Sequence, residues 1–149
     1  MFDTYAILSG ISTYLQASIP AALTEIGKTS RISKWIIGWQ HPYKMQSYDA
    51  VVLVPGAPEE NLEEGTCVKP IDVYFAARSA DADELAQRLI AYLDALYESV
   101  QQDDSLGGNV FVSEVADVDY VDPQMGAQAL GVAVATIRAE LDTLEDRNE

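Results

Sequence analysis

The chain has 149 residues, of which 48% are hydrophobic and only six are prolines. That is enough for one domain with a buried core and an ordinary globular composition. Twenty-four acids face nine bases, giving a net charge of −15, which disfavours direct phosphate binding because that needs clustered Lys and Arg. The only cysteine, Cys67, excludes an internal disulfide and a multi-cysteine metal site.

The charge is uneven. Residues 1–50 sum to +1 and residues 51–149 carry −16. No apolar run approaches the ~20 residues that span a bilayer. The start, Met1-Phe2-Asp3-Thr4-Tyr5, lacks the basic region of a signal peptide. No membrane partner is expected.

Residues 3–27 read as helical: Ile7, Leu8, Ile11, Tyr14, Leu15 and Ile19 recur at three- and four-residue steps. Asp3 or Thr4 can cap the start. Ser18 and Pro20 predict a break followed by a short helix from Ala21 to Ile26, or one kinked helix, and Gly27 is the stop. Ser30 to Trp39 predicts a strand on β-branched and aromatic content, Gln40 to Gln46 a loop, and Tyr48 to Pro55 a second strand. Pro55 to Pro70, with Gly56, Pro58, Gly65 and the run Glu59-Glu60-Asn61-Leu62-Glu63-Glu64, predicts a long flexible hairpin loop. Val68 to Ala77 alternates as a third strand.

Ser79 or Asp81 can cap the next helix, whose stripe is Leu85, Leu89, Tyr92, Leu93, Leu96 and Val100, closed by Leu106-Gly107-Gly108. Val110 to Tyr120 then predicts a strand with Phe111, Ser113, Val115, Asp117 and Asp119 on one face. Asp122 to Gly126 predicts a turn, Leu130 to Leu141 a last strand (its alanines also permit a helix), and 142–149 a frayed acidic tail. The sum is one α+β domain over 1–149, with a mixed or mainly antiparallel sheet and helices on one face. Leu85, Leu89, Leu93 and Leu96 should pack on Ile71, Val73, Phe75, Val110 and Val112.

Residues that could carry chemistry are sparse. His41 is the only histidine, so a Ser/His/Asp or Cys/His mechanism would need it, yet no nucleophile signature accompanies it. Asp117 and Asp119 share a strand face that suits a divalent ion or an acid/base pair, but such pairs are expected in so acidic a chain. Gly107-Gly108 ends a helix instead of opening one, so it is no phosphate loop. Trp35, Trp39, Tyr43 and Tyr48 could stack bases, but with few cations nearby, core or subunit-interface packing is the better reading. No catalytic, cofactor or metal residue is assigned. Glu59, Glu60, Glu63 and Glu64, with Trp35, Trp39 and Tyr43, are the candidate interaction residues.

The run Ile71-Asp72-Val73-Tyr74-Phe75-Ala76-Ala77-Arg78, the helix Asp83 to Leu89, Leu106-Gly107-Gly108-Asn109-Val110, Val118-Asp119-Tyr120 and the closing Val132 to Ile137 together resemble the tail terminator and tail-completion proteins of tailed bacteriophages. The resemblance implies a non-enzymatic virion protein assembled in the host cytoplasm. It would form a ring, usually hexameric, on the last ring of the tail tube, stop tube growth and meet a neck or head-completion protein. DNA would pass through without specific binding, and an acidic lumen would repel its phosphates. A head-completion or connector protein is the alternative within phage, and a small α+β enzyme or ligand-binding domain the alternative outside it.

Overall fold

The computed structural model describes residues 3–38, 49–61, 66–124 and 129–142. In chain order the elements are α1 (Thr4–Glu25), β1 (Ile32–Ile37), β2 (Asp49–Pro55), β3 (Glu59–Asn61), β4 (Thr66–Ser79), α2 (Ala82–Gln102), β5 (Val112–Gln124) and β6 (Ala129–Asp142). They build an α+β domain with both helices on one face of a mixed sheet of order β1-β2-β4-β6-β5, to which β3 adds beside β4. Only β1 and β2 pair in parallel; the other neighbours are antiparallel.

Helix α1 is continuous. Asp3 caps it, its carboxylate accepting from the Ala6 amide at 3.0 Å, and Gly27 follows its end at φ +74°. Pro20 sits inside it, so the expected break does not divide the helix. By length and mean hydropathy (1.2) α1 could cross a bilayer, contrary to the expectation from apolar runs. The residues that make it apolar (Leu8, Ile11, Leu15, Ile19, Leu23) are those buried in the core, as an amphipathic core helix requires.

Asp81 caps α2, accepting from the Asp83 and Glu84 amides, with Asp83 and Glu84 in the first turn where the helix dipole favours acids. The whole expected stripe from Leu85 to Val100 is buried. It meets Ile71, Val73, Phe75, Ala133, Ala135 and Ile137 in the main core. Tyr14 ties the helices together by donating to the Ser99 carbonyl at 2.6 Å. After α2, Leu106, Gly107 and Gly108 all have positive φ (51°, 77° and 84°). Leucine tolerates this because its side chain is fully buried, while the Asp103 carboxylate holds the turn through the Ser105 and Gly107 amides. α1 crosses this turn closely: a Cβ on Gly10 would lie 1.9 Å from Asn109 Oδ1.

Three expectations are corrected. Among its described residues, the segment 55–70 is largely strand, not loop. After Gly56, whose amide donates to the Pro70 carbonyl, Glu59, Glu60 and Asn61 pair with Val68, Cys67 and Thr66. The reason is that β6 backs β4 over its full length from Thr66 to Ser79, so the far end of β4 is a fixed template for the acidic segment. Second, β5 runs through Asp122-Pro123-Gln124, where a turn is expected. Third, a bulge between Val115 and Asp117 reverses the faces. Ser113 and Val115 point to the helices, whereas Glu114, Asp117 and Asp119 lie on the far face. Val112 opposes Glu140 and so also belongs to the far face, not to the core under α2. That far face has its own buried cluster of Ala50, Val52, Ala76, Leu130 and Val132.

Candidate functional site

Two places concentrate polar chemistry or unspent apolar surface. The first is a buried ionic knot under the C-terminal end of α1. Asp49 opens β2 and is only 4% exposed. It accepts from Arg88 Nη1 at 2.8 Å and from the Tyr92 hydroxyl. Arg88 also grips Glu84 one turn back through Nε and Nη2 (2.9 and 2.7 Å), and Nη1 reaches the Arg78 carbonyl at 3.3 Å. The Tyr92 hydroxyl in turn accepts from the Arg31 amide at 3.3 Å, and its ring stacks on Phe75 with centroids 5.7 Å apart. The knot therefore links α2, the start of β2, the end of β4 and the entry to β1. A recess of about 260 Å³ beside it is lined by Gly27, Lys28, Arg31, Glu84, Arg88 and Tyr92 among others.

Burial works against the Arg88 charge, but its bonds to Glu84 and Asp49 outweigh that and hold its pKa above the ordinary arginine value. The same bond from Arg88 holds Glu84 below the usual carboxylate range. Burial, then the bond to and charge of Asp49, push the Tyr92 phenol far above 10.0. Burial also raises Tyr14 and Tyr74, helped by Asp103 and Asp72 respectively. With the guanidinium donors directed to Asp49, Glu84 and a carbonyl, the knot reads as a structural clamp.

A phenol that ionises later in the folded than in the unfolded chain contributes stability that is complete below the unfolded pKa and is lost as pH rises through the folded one. Stability should therefore fall above about pH 10. Tyr92→Phe should flatten that limb while lowering stability at neutral pH. Urea melts from about pH 8 to about pH 11 read both effects, and an unchanged alkaline slope would contradict the assignment.

The second place is the pair of sheet edges. β5 ends the sheet on one side and β1 on the other, and among the described residues no strand pairs with their outer sides. On the helix side of β5, Val118 and Tyr120 are 45% and 51% exposed. Ile90 and Tyr97 are exposed on α2, on the flank opposite Ser99 and hence turned away from α1. On the far face of β5, Asp117 and Asp119 fold back to accept from the Val118 and Tyr120 amides, 2.9 Å each.

Of the expected interaction residues, Trp35 lies in β1, partly exposed and packed on the main core. Glu59 is in β3, where it pairs with Arg138 at 2.9 Å, Glu59 exposed and Arg138 partly so. Glu60 is a strand residue of β3. Glu63, Glu64, Trp39 and Tyr43, like His41, lie outside the described residues. The structure brings Trp35 and Glu59 to different regions of the sheet. Sequence reasoning missed Asp49, Arg88 and Tyr92; the one available signal was that Arg88 is the only base in α2 and stands four residues after Glu84. Among the described residues no three of His, Cys, Asp and Glu converge to hold a metal. The chain matches no protein-family model, and no curated protein matches it in sequence.

Proposed function

We propose that this chain is a ring-forming structural subunit of a phage tail, seated at the head-proximal end of the tail tube. There it ends tube growth and joins the tail to the neck while DNA passes through. The observation that carries this reading is the charge on the sheet face opposite the helices. Glu59, Asp72, Glu114, Asp117, Asp119 and Glu140 stand there against Lys34, Arg78 and Arg138. A face where carboxylates outnumber bases two to one repels phosphates, so a ring with that face towards its axis would let DNA slide without sticking. The two sheet edges also supply the surfaces that a closed ring needs.

The mass of the purified protein and electron microscopy of it with tail tubes test the reading. A closed ring of several copies capping the tubes is the expected result, and deleting the gene should give overlong tails. A strict monomer, alone and with tubes, overturns it. Tails of normal length detached from heads would assign the chain to head completion instead.

A further inference from the structure

We propose that copies of this chain join head to tail through their sheets, with β1 of one copy pairing antiparallel with β5 of the next. This interface rests on the ring reading and names the surfaces that would close the ring. Three features support it.

The first is direction. β2 and β6 run opposite to β4, β1 runs with β2, and β5 runs opposite to β6. The two edge strands are therefore antiparallel to each other. Rotating a copy about an axis parallel to the strands, as in a ring, places its β5 antiparallel beside a neighbour's β1 with the helix sides aligned.

The second is charge. Residues 28–38 hold Lys28, Arg31 and Lys34 and no acid, whereas residues 112–124 hold Glu114, Asp117, Asp119 and Asp122 and no base. The two edges of one sheet are thus oppositely charged, which suits heterologous contact. It also rejects β5 pairing with β5, because that would set carboxylates against carboxylates.

The third is the match of faces. Lys34 opposes Ala50 on the far face, the same face as Glu114, Asp117 and Asp119. Trp35 and Ile37 oppose Val51 and Leu53 on the helix face, the same face as the exposed Val118 and Tyr120. In a continued sheet, cation meets acid on one side and apolar meets aromatic on the other, within the ~4.5–5.5 Å spacing of cross-strand neighbours.

Two full-length variants test this: Asp117→Lys with Asp119→Lys, which sets two lysines against Lys34 across the contact, and Lys28→Glu with Lys34→Glu, which sets glutamate against Asp117 and Asp119. Arg31 is left in place because it already approaches Glu84 at 3.8 Å. Self-association is read by sedimentation velocity, and circular dichroism melts check folding. Each variant alone should associate about 100-fold more weakly than the wild type, because like charges then face across the contact. An equimolar mixture should recover association to within about tenfold, as assemblies in which the two variants alternate. If either lysine or glutamate pair unfolds the chain, Asp117→Asn with Asp119→Asn takes its place and should weaken association by about tenfold.

Wild-type rings with both variants and the mixture unchanged would overturn this interface and leave the ring reading standing. Folded variants that dissociate but are not rescued by mixing also overturn it. Open chains sensitive to these substitutions would support the interface and overturn the ring. A wild type that stays monomeric alone and with tail tubes overturns both.

Discussion

Arg88→Met should destabilise the fold by ~3–5 kcal/mol, the range for removing one partner of a buried ion pair. At roughly 2–4 °C per kcal/mol for a chain near this size, the midpoint of thermal unfolding should drop by about 6–20 °C. The size follows from what is left behind. Asp49 is 4% exposed and Arg88 12% in their side chains, so the orphaned carboxylate keeps only the Tyr92 hydroxyl and cannot recruit bulk water. Glu84 loses its bonds to Arg88 as well, but at 40% exposure it rehydrates, and its share is small. The double variant Asp49→Leu, Arg88→Met should recover much of the loss, because the penalty belongs to the unpaired charge and not to the absence of a pair. Urea unfolding of the three variants decides the matter. If the double variant is as unstable as the sum of its singles, the knot acts through packing alone.

The parts of this fold that the sequence foretold are those written in local periodicity. The α2 stripe, its Asp81 cap and the Leu106-Gly107-Gly108 stop each depend on residues within a turn or two of one another. The α1 start at Asp3 and the alternation of β4 and β6 are equally local. What escaped depends on pairing across the chain. β3 is strand because β4 and β6 already form a template, while its own Glu59-Glu60-Asn61 composition argues for a loop. The bulge at Ala116 adds one residue without any glycine or proline to mark it, so it moves Asp117 and Asp119 away from Ser113 and Val115 unannounced. The knot joins residues 39 and 43 positions apart, and neither Asp49 nor Tyr92 looks unusual where it stands. The edges follow the same logic. Val118, Tyr120 and Trp35 are ordinary strand residues until strand order shows that β5 and β1 end the sheet on opposite sides.

Phe75→Ala should cost ~3–5 kcal/mol, as expected for truncating a fully buried aromatic, whereas Phe111→Ala should stay within about 0.5 kcal/mol. Both are phenylalanines beside or within strands, and only placement separates them. Phe75 has no exposed surface and stacks on Tyr92, whereas Phe111 is 66% exposed. The loss at Phe75 has two sources: apolar contact with α2, and support for the ring that carries the Tyr92 hydroxyl to Asp49. The second makes a coupling prediction. In a double-mutant cycle of Phe75→Leu with Tyr92→Phe, the combined loss should fall short of the sum by ~0.5–3 kcal/mol, the range for residues in direct contact within one network. Strict additivity would show that the stacked ring and the ionic knot are independent. Coupling would mean that the centre of the sheet and the entry to the β1 edge stand or fall together, because the Tyr92 hydroxyl also accepts the Arg31 amide just before β1. A subunit whose core holds its edge strand at a fixed position presents that edge to a neighbour with little ordering left to do, and preorganisation of that kind strengthens association without adding any contact.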